Sequence, residues 1–415
     1  MRSNYRRLGD YIQEVTLRNT ELNVSNLLGI NINKFFMPSV ANVVGTDMSK
    51  YKIVKKRQFA CNRMHVGRDK RLPVALWEEA EDIIVSPAYN VFEVIDEEVL
   101  SPEYLMMWFS RKELDRNAWF YTDADVRGGL NWNDFCNLEL PVPSIEKQME
   151  IVKEYKVLQD RISLNNTLIE KLEDTAQTIY KQWFVDFDFH DENGNPYKSS
   201  GGEMYYNKEL GTEIPIGWDM QNLGQIMSIK HGFAFKGENI VSYENKYVLL
   251  TPGNFRIGGG FKPDNFKYYN GEVNESFIFE SGDLMVTMTD LSVGADTIGF
   301  PAFIPNIKNK IFLHNQRLGK IFIKYELKNF IYWLMRSSNY RNTILGGITG
   351  TTVKHTSPSK ILEYEFAFYY DELLFKKFEE VSEKIQIRIE QIVIENNNIL
   401  VLKDLLLSKL ATVEG

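Results

Sequence analysis

Residues 145–184 read IEKQMEIVKEYKVLQDRISLNNTLIEKLEDTAQTIYKQWF, without a Gly or a Pro, just after Pro141 and Pro143. The second half sets Ile162, Asn165, Ile169, Leu172, Ala176, Ile179 and Trp183 at alternating steps of three and four. That spacing lines one seam of a helix that packs lengthwise on another long helix. At ~1.5 Å per residue the rod would be about 60 Å long. A rod of this length in mid-chain needs a partner, and residues 371–410 supply one.

Working outward, residues 1–144 break into short apolar runs separated by Gly, Asn and Pro, such as YKIV (51–54), DIIV (82–85) and YNVFEVI (89–95). These read as strands of a mixed or mostly antiparallel sheet. Pro102 to Trp119 is expected to be a helix capped by Ser101, and LELPVP (138–143) a last strand before the rod. Residues 185–219 are polar and rich in turn formers, which reads as a connector. Residues 220–370 repeat the theme, with strand-like runs, an aromatic helix from about Leu327 to Leu345, the loop GGITGTTVKHTS (346–357) and a closing strand at 361–369.

The two halves match in order. Leu8-Gly9 corresponds to Leu223-Gly224, Val66-Gly67 to Val293-Gly294, and YLMMWFSRKELDRN (104–117) to FIYWLMRSSNYRN (330–342). In the rods, Ile162, Ile169, Leu172 and Ala176 align with Ile392, Ile399, Leu402 and Leu406. The expected fold is therefore α+β: two mixed α/β domains (1–144 and 220–370) separated by two long helices (145–184 and 371–415). The helices would form an antiparallel coiled coil with an internal pseudo-two-fold axis. Asn166 and Asn396 sit at or beside the seam; a buried amide there would fix register, whereas an exposed one would leave register to the apolar residues.

Two related but unlike globules on a rigid spacer suit an object with two unlike sites at a fixed separation, and duplex DNA is such an object. Net charge is −8, yet charge is unevenly distributed. Between Lys50 and Arg71 there are nine Lys or Arg and one acid, Asp69. Lys55, Lys56, Arg57, Arg63, His65, Arg68, Lys70 and Arg71 are candidates for phosphate and base-edge contacts; a solvated basic hairpin is the alternative. In the second half, Arg256, Lys262, Thr351, Thr352, Lys354 and His355 flank Gly-rich turns that could do the same. Chemistry-bearing motifs are missing. No phosphate-binding Gly loop occurs, the five His show no zinc spacing, and Asn195-Pro196-Tyr197 lacks the second Pro of an adenine methyltransferase motif. Asp186 and Asp188 have no evident third ligand. Cys61 and Cys136 are isolated, the N-terminus lacks a signal-peptide core, and no apolar run approaches a membrane span, so a cytoplasmic protein is expected.

The stretches LPVPSIEKQMEIV (140–152), NNTLIEKLEDTAQTIYKQWFVDFDF (165–189), NGNPYKSSGGEMYYNKELGTEIPIGW (193–218) and GTTVKHTSPSKI (350–361) resemble the specificity (S) subunit of type I restriction–modification systems, over essentially the whole chain. The resemblance implies two target recognition domains, each reading half of an asymmetric bipartite DNA site, and two spacer helices. It implies two modification subunits, which bind S-adenosylmethionine, and two restriction subunits, which use ATP and Mg²⁺; the S subunit itself has no active site and no cofactor. Subunit-interface candidates are Ile162, Asn166, Ile169, Leu172, Trp183, Phe184, Ile392, Asn396, Ile399, Leu402 and Leu406, with Trp183, Phe184, Leu405 and Leu406 offered to partner helices. Competing readings are a coiled-coil scaffold whose globules bind protein, and a catalytic methyltransferase or nuclease fused to recognition domains. If the rod acts as a spacer, inserting four residues after Asn166 should change the distance between half-sites or abolish assembly, as read by sequencing methylated positions; unchanged spacing with intact activity would remove that role.

Overall fold

The computed structural model describes residues 5–40, 45–122, 128–350 and 353–412. It has two compact units, 1–163 with 398–415, and 164–397.

In the first unit an antiparallel sheet contains β1 (Ile12–Val15), β2 (Phe59–Cys61), β3 (Val74–Leu76) and β4 (Asn90–Val94), in the order β1-β4-β2-β3. Helices α1 (Pro102–Phe109), α2 (Lys112–Phe120) and α3 (Trp132–Cys136) follow. Ser101 caps α1 through Tyr104 N and Pro102 occupies its first turn, as the sequence suggests. The single helix expected over 102–119 is instead two, broken at Ser110-Arg111. Strand Tyr5–Arg7 pairs antiparallel with Glu139–Pro141. The core stacks Phe59 on Phe92 at 4.9 Å and sets Phe109 and Phe135 around them.

Helix α4 (Ile145–Phe184) begins in this unit. Ser144 caps it through Lys147 N at 3.4 Å, and Phe187, at φ 61°, lies in the left-handed region just past its end. Its buried Gln148 donates to Val99 O and Pro143 O and accepts from Ser101 N at 2.9 Å, so one amide joins the rod to the start of α1. Beside it lie the last turns of α8 (Glu372–Lys409). Lys403 Nζ stands 4.8 Å from the Tyr155 ring, and Leu407 and Leu410 join the core with Ile151.

In the second unit β5 (Met227–His231), β6 (Leu284–Thr287), β7 (Pro301–Phe303) and β8 (Leu318–Ile323) form a sheet in the order β5-β8-β6-β7. That is the order of the first sheet, strand for strand. Helices α5 (Lys328–Leu334), α6 (Ser338–Gly346) and α7 (Pro358–Leu362) follow, again a broken helix where one was expected over 327–345. Strand Asp219–Asn222 pairs with Glu365–Phe368; the strand expected over 361–369 is shortened because Ser357 and Pro358 start α7. A five-stranded sheet is added on residues 240–313, where the first unit has the two-stranded pairs 52–54 with 83–85 and 28–30 with 36–38.

Equivalent backbone hydrogen bonds sit at equivalent places in the two units. Leu8 N donates to Leu138 O at 2.8 Å and Leu223 N to Tyr364 O at 3.0 Å; Leu130 N donates to Arg63 O and Thr356 N to Met288 O, both at 3.0 Å. The Leu-Gly repeat has a steric cause. Leu8 and Leu223 are buried, while the glycines let the chain close on a short helix. A Cβ on Gly9 would stand 2.8 Å from Cys136 Cβ; one on Gly224 would stand 3.4 Å from Leu362 Cβ.

Within the second unit, α4 and α8 run antiparallel. Asn165 donates to Asn396 Oδ1 at 2.8 Å, and Phe184 stacks on Phe375 at 5.1 Å with Phe378 at 4.9 Å. Residues 185–219, expected to be a connector, fold onto the same core: Phe187 and Phe189 pack on Trp218, and Met204–Asn207 pairs with Thr212–Pro215. Apolar residues interspersed among the turn formers cause the difference.

Gly9→Ala should therefore cost about 1–3 kcal/mol through overpacking, and Gly224→Ala clearly less. Thermal melts of the two variants check this; equal losses would show that the short-helix contact is not what fixes the Leu-Gly dipeptide.

Candidate nucleic-acid interface

The basic run does not form one hairpin. Lys52–Val54 pairs with Ile83–Val85, while β2 pairs with β3 and β4, so residues 50–54 and 59–61 belong to different sheets. The hairpin is β2–β3, and its loop carries Arg63, His65, Arg68, Lys70 and Arg71. Lys55, Lys56 and Arg57 lie at the other end of β2, in a turn that Arg57 enters at φ 69°.

Several of the candidate cations hold the fold together. Arg57 grips Glu97 at 2.7 Å and Glu103 at 2.6 Å. Arg63 donates to Asn90 Oδ1 at 2.9 Å and to Leu130 O, and lies over Trp132. Lys52 is buried against Tyr89 O. Arg57 and Arg63, both contact candidates, and Lys52, which is not one, thus have donors engaged within the unit. Lys55 and Lys56 are exposed, and neither makes an ion pair among the described residues. Arg68 pairs with its neighbour Asp69 at 2.7 Å in the open, a contact of little strength. Lys70 lies over the Trp119 ring at 4.9 Å, Arg71 donates to Asn33, and His65 precedes the turn of helix at 66–69. Gly67 N donates to Gly128 O at 2.7 Å. A Cβ on Gly67 would stand 2.7 Å from Gly128 Cα, so the β2–β3 loop and the loop before α3 cross where only glycines fit.

In the second unit the matching β6–β7 connection, residues 288–300, meets residues 353–356: Thr289 pairs with His355 and Asp290 with Lys354. Lys354 Nζ donates to Ser292 O at 3.0 Å and to Val293 O, so it is a brace as well. His355 is exposed and places Nδ1 3.4 Å from Thr289 Oγ1. Thr351 and Thr352 lie outside the described residues. Lys262 pairs with Asp264 at 3.4 Å. Asp290 is buried, and burial pushes its pKa up. The N–H groups of Ser292 and Thr297 and the Thr297 hydroxyl outweigh that and hold it below the usual carboxylate range. In the sequence Asp290 lies near no recognisable nuclease pattern, and only its loop partners distinguish it.

Arg256 is engaged within the second unit. It bonds Glu173 of α4, which also receives Arg336 at 3.0 Å. Arg336 in turn donates to Tyr332 OH at 2.9 Å and lies over the Trp333 ring. Asp186 and Asp188 have structural duties: the first pairs with Lys181 at 2.6 Å, and the second accepts from Ser199 N at 2.7 Å.

Among the interface candidates, Ile169, Ile392 and Ile399 are buried, Ile162 and Leu172 half-buried, and Asn396 also bonds the exposed Asn166 at 2.9 Å. Trp183 and Phe184 are buried in the aromatic core and are not available to a partner helix. Leu402 is 52% and Leu405 55% exposed, and Leu406 is half-buried; the seam there is carried by Leu407 and Leu410. With Val157, Leu158 and the stem of Lys153, Leu402, Leu405 and Leu406 line an open apolar groove within the first unit. No described helix is long and apolar enough to cross a membrane.

A mixed unit built twice, each copy followed by a long helix, is an arrangement whose overall fold this chain shares with a solved structure. The type I restriction–modification system S subunit from M. genitalium superposes with TM-score 0.54 over 99% of this chain and 96% of that one, at 14% identity. The resemblance extends to sequence. The type I restriction enzyme MjaIX specificity subunit of Methanocaldococcus jannaschii is 27% identical over 337 residues, 76% of this chain and 70% of the relative. The HindI specificity subunit of Haemophilus influenzae is 27% identical over 190 residues, 44% of this chain and 40% of its own length. No protein-family profile matches the chain.

Burial pushes the Glu173 pKa up, but Arg336 and Arg256 outweigh it and hold the folded-state value below the ordinary 4.5. Its stabilisation is therefore present above about pH 4.5 and lost as pH falls through the lower folded value. Glu173→Ala should cost about 3 kcal/mol near neutrality by leaving two guanidiniums unpaired, and Glu173→Gln should flatten the acid limb of a stability–pH curve from urea melts. An unchanged acid limb would refute the brace.

Proposed function

We propose that this chain is the DNA-recognition subunit of a type I restriction–modification complex, reading an asymmetric bipartite site with its two mixed units. The observation that carries the reading is the repeated unit: sheet order, helix pair and backbone hydrogen bonds recur, while the loops at equivalent positions differ in chemistry. A shared scaffold with unlike loops suits two unlike half-sites. Duplex binding needs cations that can leave their present partners. Arg68, Lys70, Lys55 and Lys56 meet that need in the first unit, whereas Arg57, Arg63 and Arg256 do not.

The reaction chemistry belongs to partners on this reading. Modification subunits, two per complex, bind S-adenosylmethionine, and two restriction subunits use ATP and Mg²⁺. This chain supplies position: its loops fix where the assembly sits, and proximity then lets a partner's catalytic groups act on one base. The groove of Val157, Leu402 and Leu405 is an apolar surface that a partner helix could cover. The protein works in the cytoplasm, where duplex DNA and the partner subunits meet.

In the complex reconstituted with modification subunits, Arg68→Ala and Lys70→Ala should weaken duplex binding almost equally across sequences. Each should lower the slope of log K against log salt by about one. Arg63→Ala should instead lower the melting temperature. If Arg68→Ala and Lys70→Ala bind DNA with unchanged affinity and slope, the β2–β3 loop is not a phosphate contact. If the unsubstituted complex methylates without sequence preference, the whole reading fails.

A further inference from the structure

The β6–β7 loop of the second unit is built from the inside. Asp290, 4% exposed, accepts from Ser292 N and Thr297 N at 2.6 Å, from Thr297 Oγ1 at 2.8 Å and from Ile298 N at 3.2 Å. Arg341, half-buried, donates to Ile298 O at 2.5 Å and to Ala295 O. Lys354 donates to Ser292 O at 3.0 Å and to Val293 O. A carboxylate, a guanidinium and an ammonium thus grip the loop backbone from inside the unit. The loop's most exposed side chains are apolar: Leu291 is 64% and Val293 98% exposed, beside the half-buried Ser292 and Asp296. A slack loop would tuck such side chains away, since exposed apolar surface costs about 25 cal/mol per Å². This loop is held so that it cannot.

Its position indicates what the tip meets. The β2–β3 loop of the first unit is its topological equivalent, anchored by the same type of hydrogen bond, Leu130 N to Arg63 O against Thr356 N to Met288 O. That loop presents Arg68 and Lys70, suited to phosphate, and the exposed His355 stands beside the Leu291–Val293 loop on its pairing strand. In the major groove, the apolar feature among base edges is the thymine C5-methyl group. We propose that Leu291 and Val293 are specificity-determining residues that read a thymine methyl in the half-site of the second unit, with Asp290, Arg341 and Lys354 as positioning residues. This rests on the DNA-recognition reading and assigns the base chemistry of one of its two sites.

The test uses the full complex with modification subunits and duplexes carrying its methylated target, in which each thymine of either half-site is replaced in turn by deoxyuridine. The unsubstituted complex should lose about five- to fifty-fold in affinity at one or two thymines of one half-site. The Leu291→Ser/Val293→Ser variant should bind the thymine duplex more weakly by a similar factor and no longer respond to deoxyuridine there. Its salt slope should be unchanged, because no phosphate contact is removed, and so should its melting temperature, because both side chains are exposed. The proposal is overturned if the unsubstituted complex is indifferent to every deoxyuridine. It is equally overturned if the variant keeps the discrimination, or if the variant instead loses the modification subunits on co-purification. Sequence-specific methylation by the unsubstituted complex tells the two levels apart: present, a negative result removes only the loop assignment; absent, it removes the recognition reading beneath it.

Discussion

The fold depends on one requirement: the apolar seam of a long helix must be covered along its length, and a single helix cannot cover itself. In the second unit the cover is an aromatic knot. Phe184 of α4 meets Phe330 of α5 at 4.8 Å, Phe375 and Phe378 of α8, and the rings of Trp183 and Tyr180 complete the layer. Rings of this size dominate core energetics, and Phe184→Ala in such a setting typically costs about 3–5 kcal/mol. The knot joins rod, helix pair and closing strand in one core, so the mixed unit is rooted on the rod. The Glu173–Arg336–Arg256 brace adds direction, because a guanidinium–carboxylate pair has a required geometry where apolar contact has none.

Glu379 and Gln148 show how the repeat reuses a solution with different residues. Gln148 on α4 accepts from Ser101 N at the start of α1, and Glu379 on α8 accepts from Asn329 N and Phe330 N at the start of α5. Both satisfy N–H groups at a helix start that burial would otherwise leave unpaired. Burial pushes the Glu379 pKa up; proximity to Glu383 works in the same direction, while the Asn329 and Phe330 N–H groups oppose it.

Periodicity made the rods legible, since 40 residues without Gly or Pro and with a three–four seam leave few alternatives to helix. The repeat was legible because its Leu-Gly dipeptide answers to a steric contact with α3 or α7, and sterics constrain sequence tightly. The break of each helix pair was not legible: Ser110-Arg111 and Ser337 carry no Pro or Gly, and tertiary packing sets those turns. The far end of the second seam was misread by register, as Leu402 and Leu406 keep the heptad spacing while Leu407 and Leu410 take the buried places. Trp183 and Phe184 were misassigned because an apolar residue at a helix end signals burial without naming the surface that buries it.

Charge was the least legible feature, for a physical reason. A run of nine cations in 22 residues raises local potential wherever it lies, but whether a given cation can serve a ligand depends on what it already holds. Arg57 and Arg63 have donors committed to carboxylates, an amide and a carbonyl, and releasing them would leave buried or half-buried partners unsatisfied. Arg68 holds only its neighbour in solvent, so exchanging that carboxylate for a phosphate costs little. The same accounting, applied to Asp290, Arg341 and Lys354, changes the meaning of the second unit's loop. Its charges are spent on shape, and the shape delivers two aliphatic side chains to water. Three ionic groups hold a loop that exposes Leu291 and Val293, where the equivalent loop of the first unit exposes cations, so a single scaffold carries two differently filled loops.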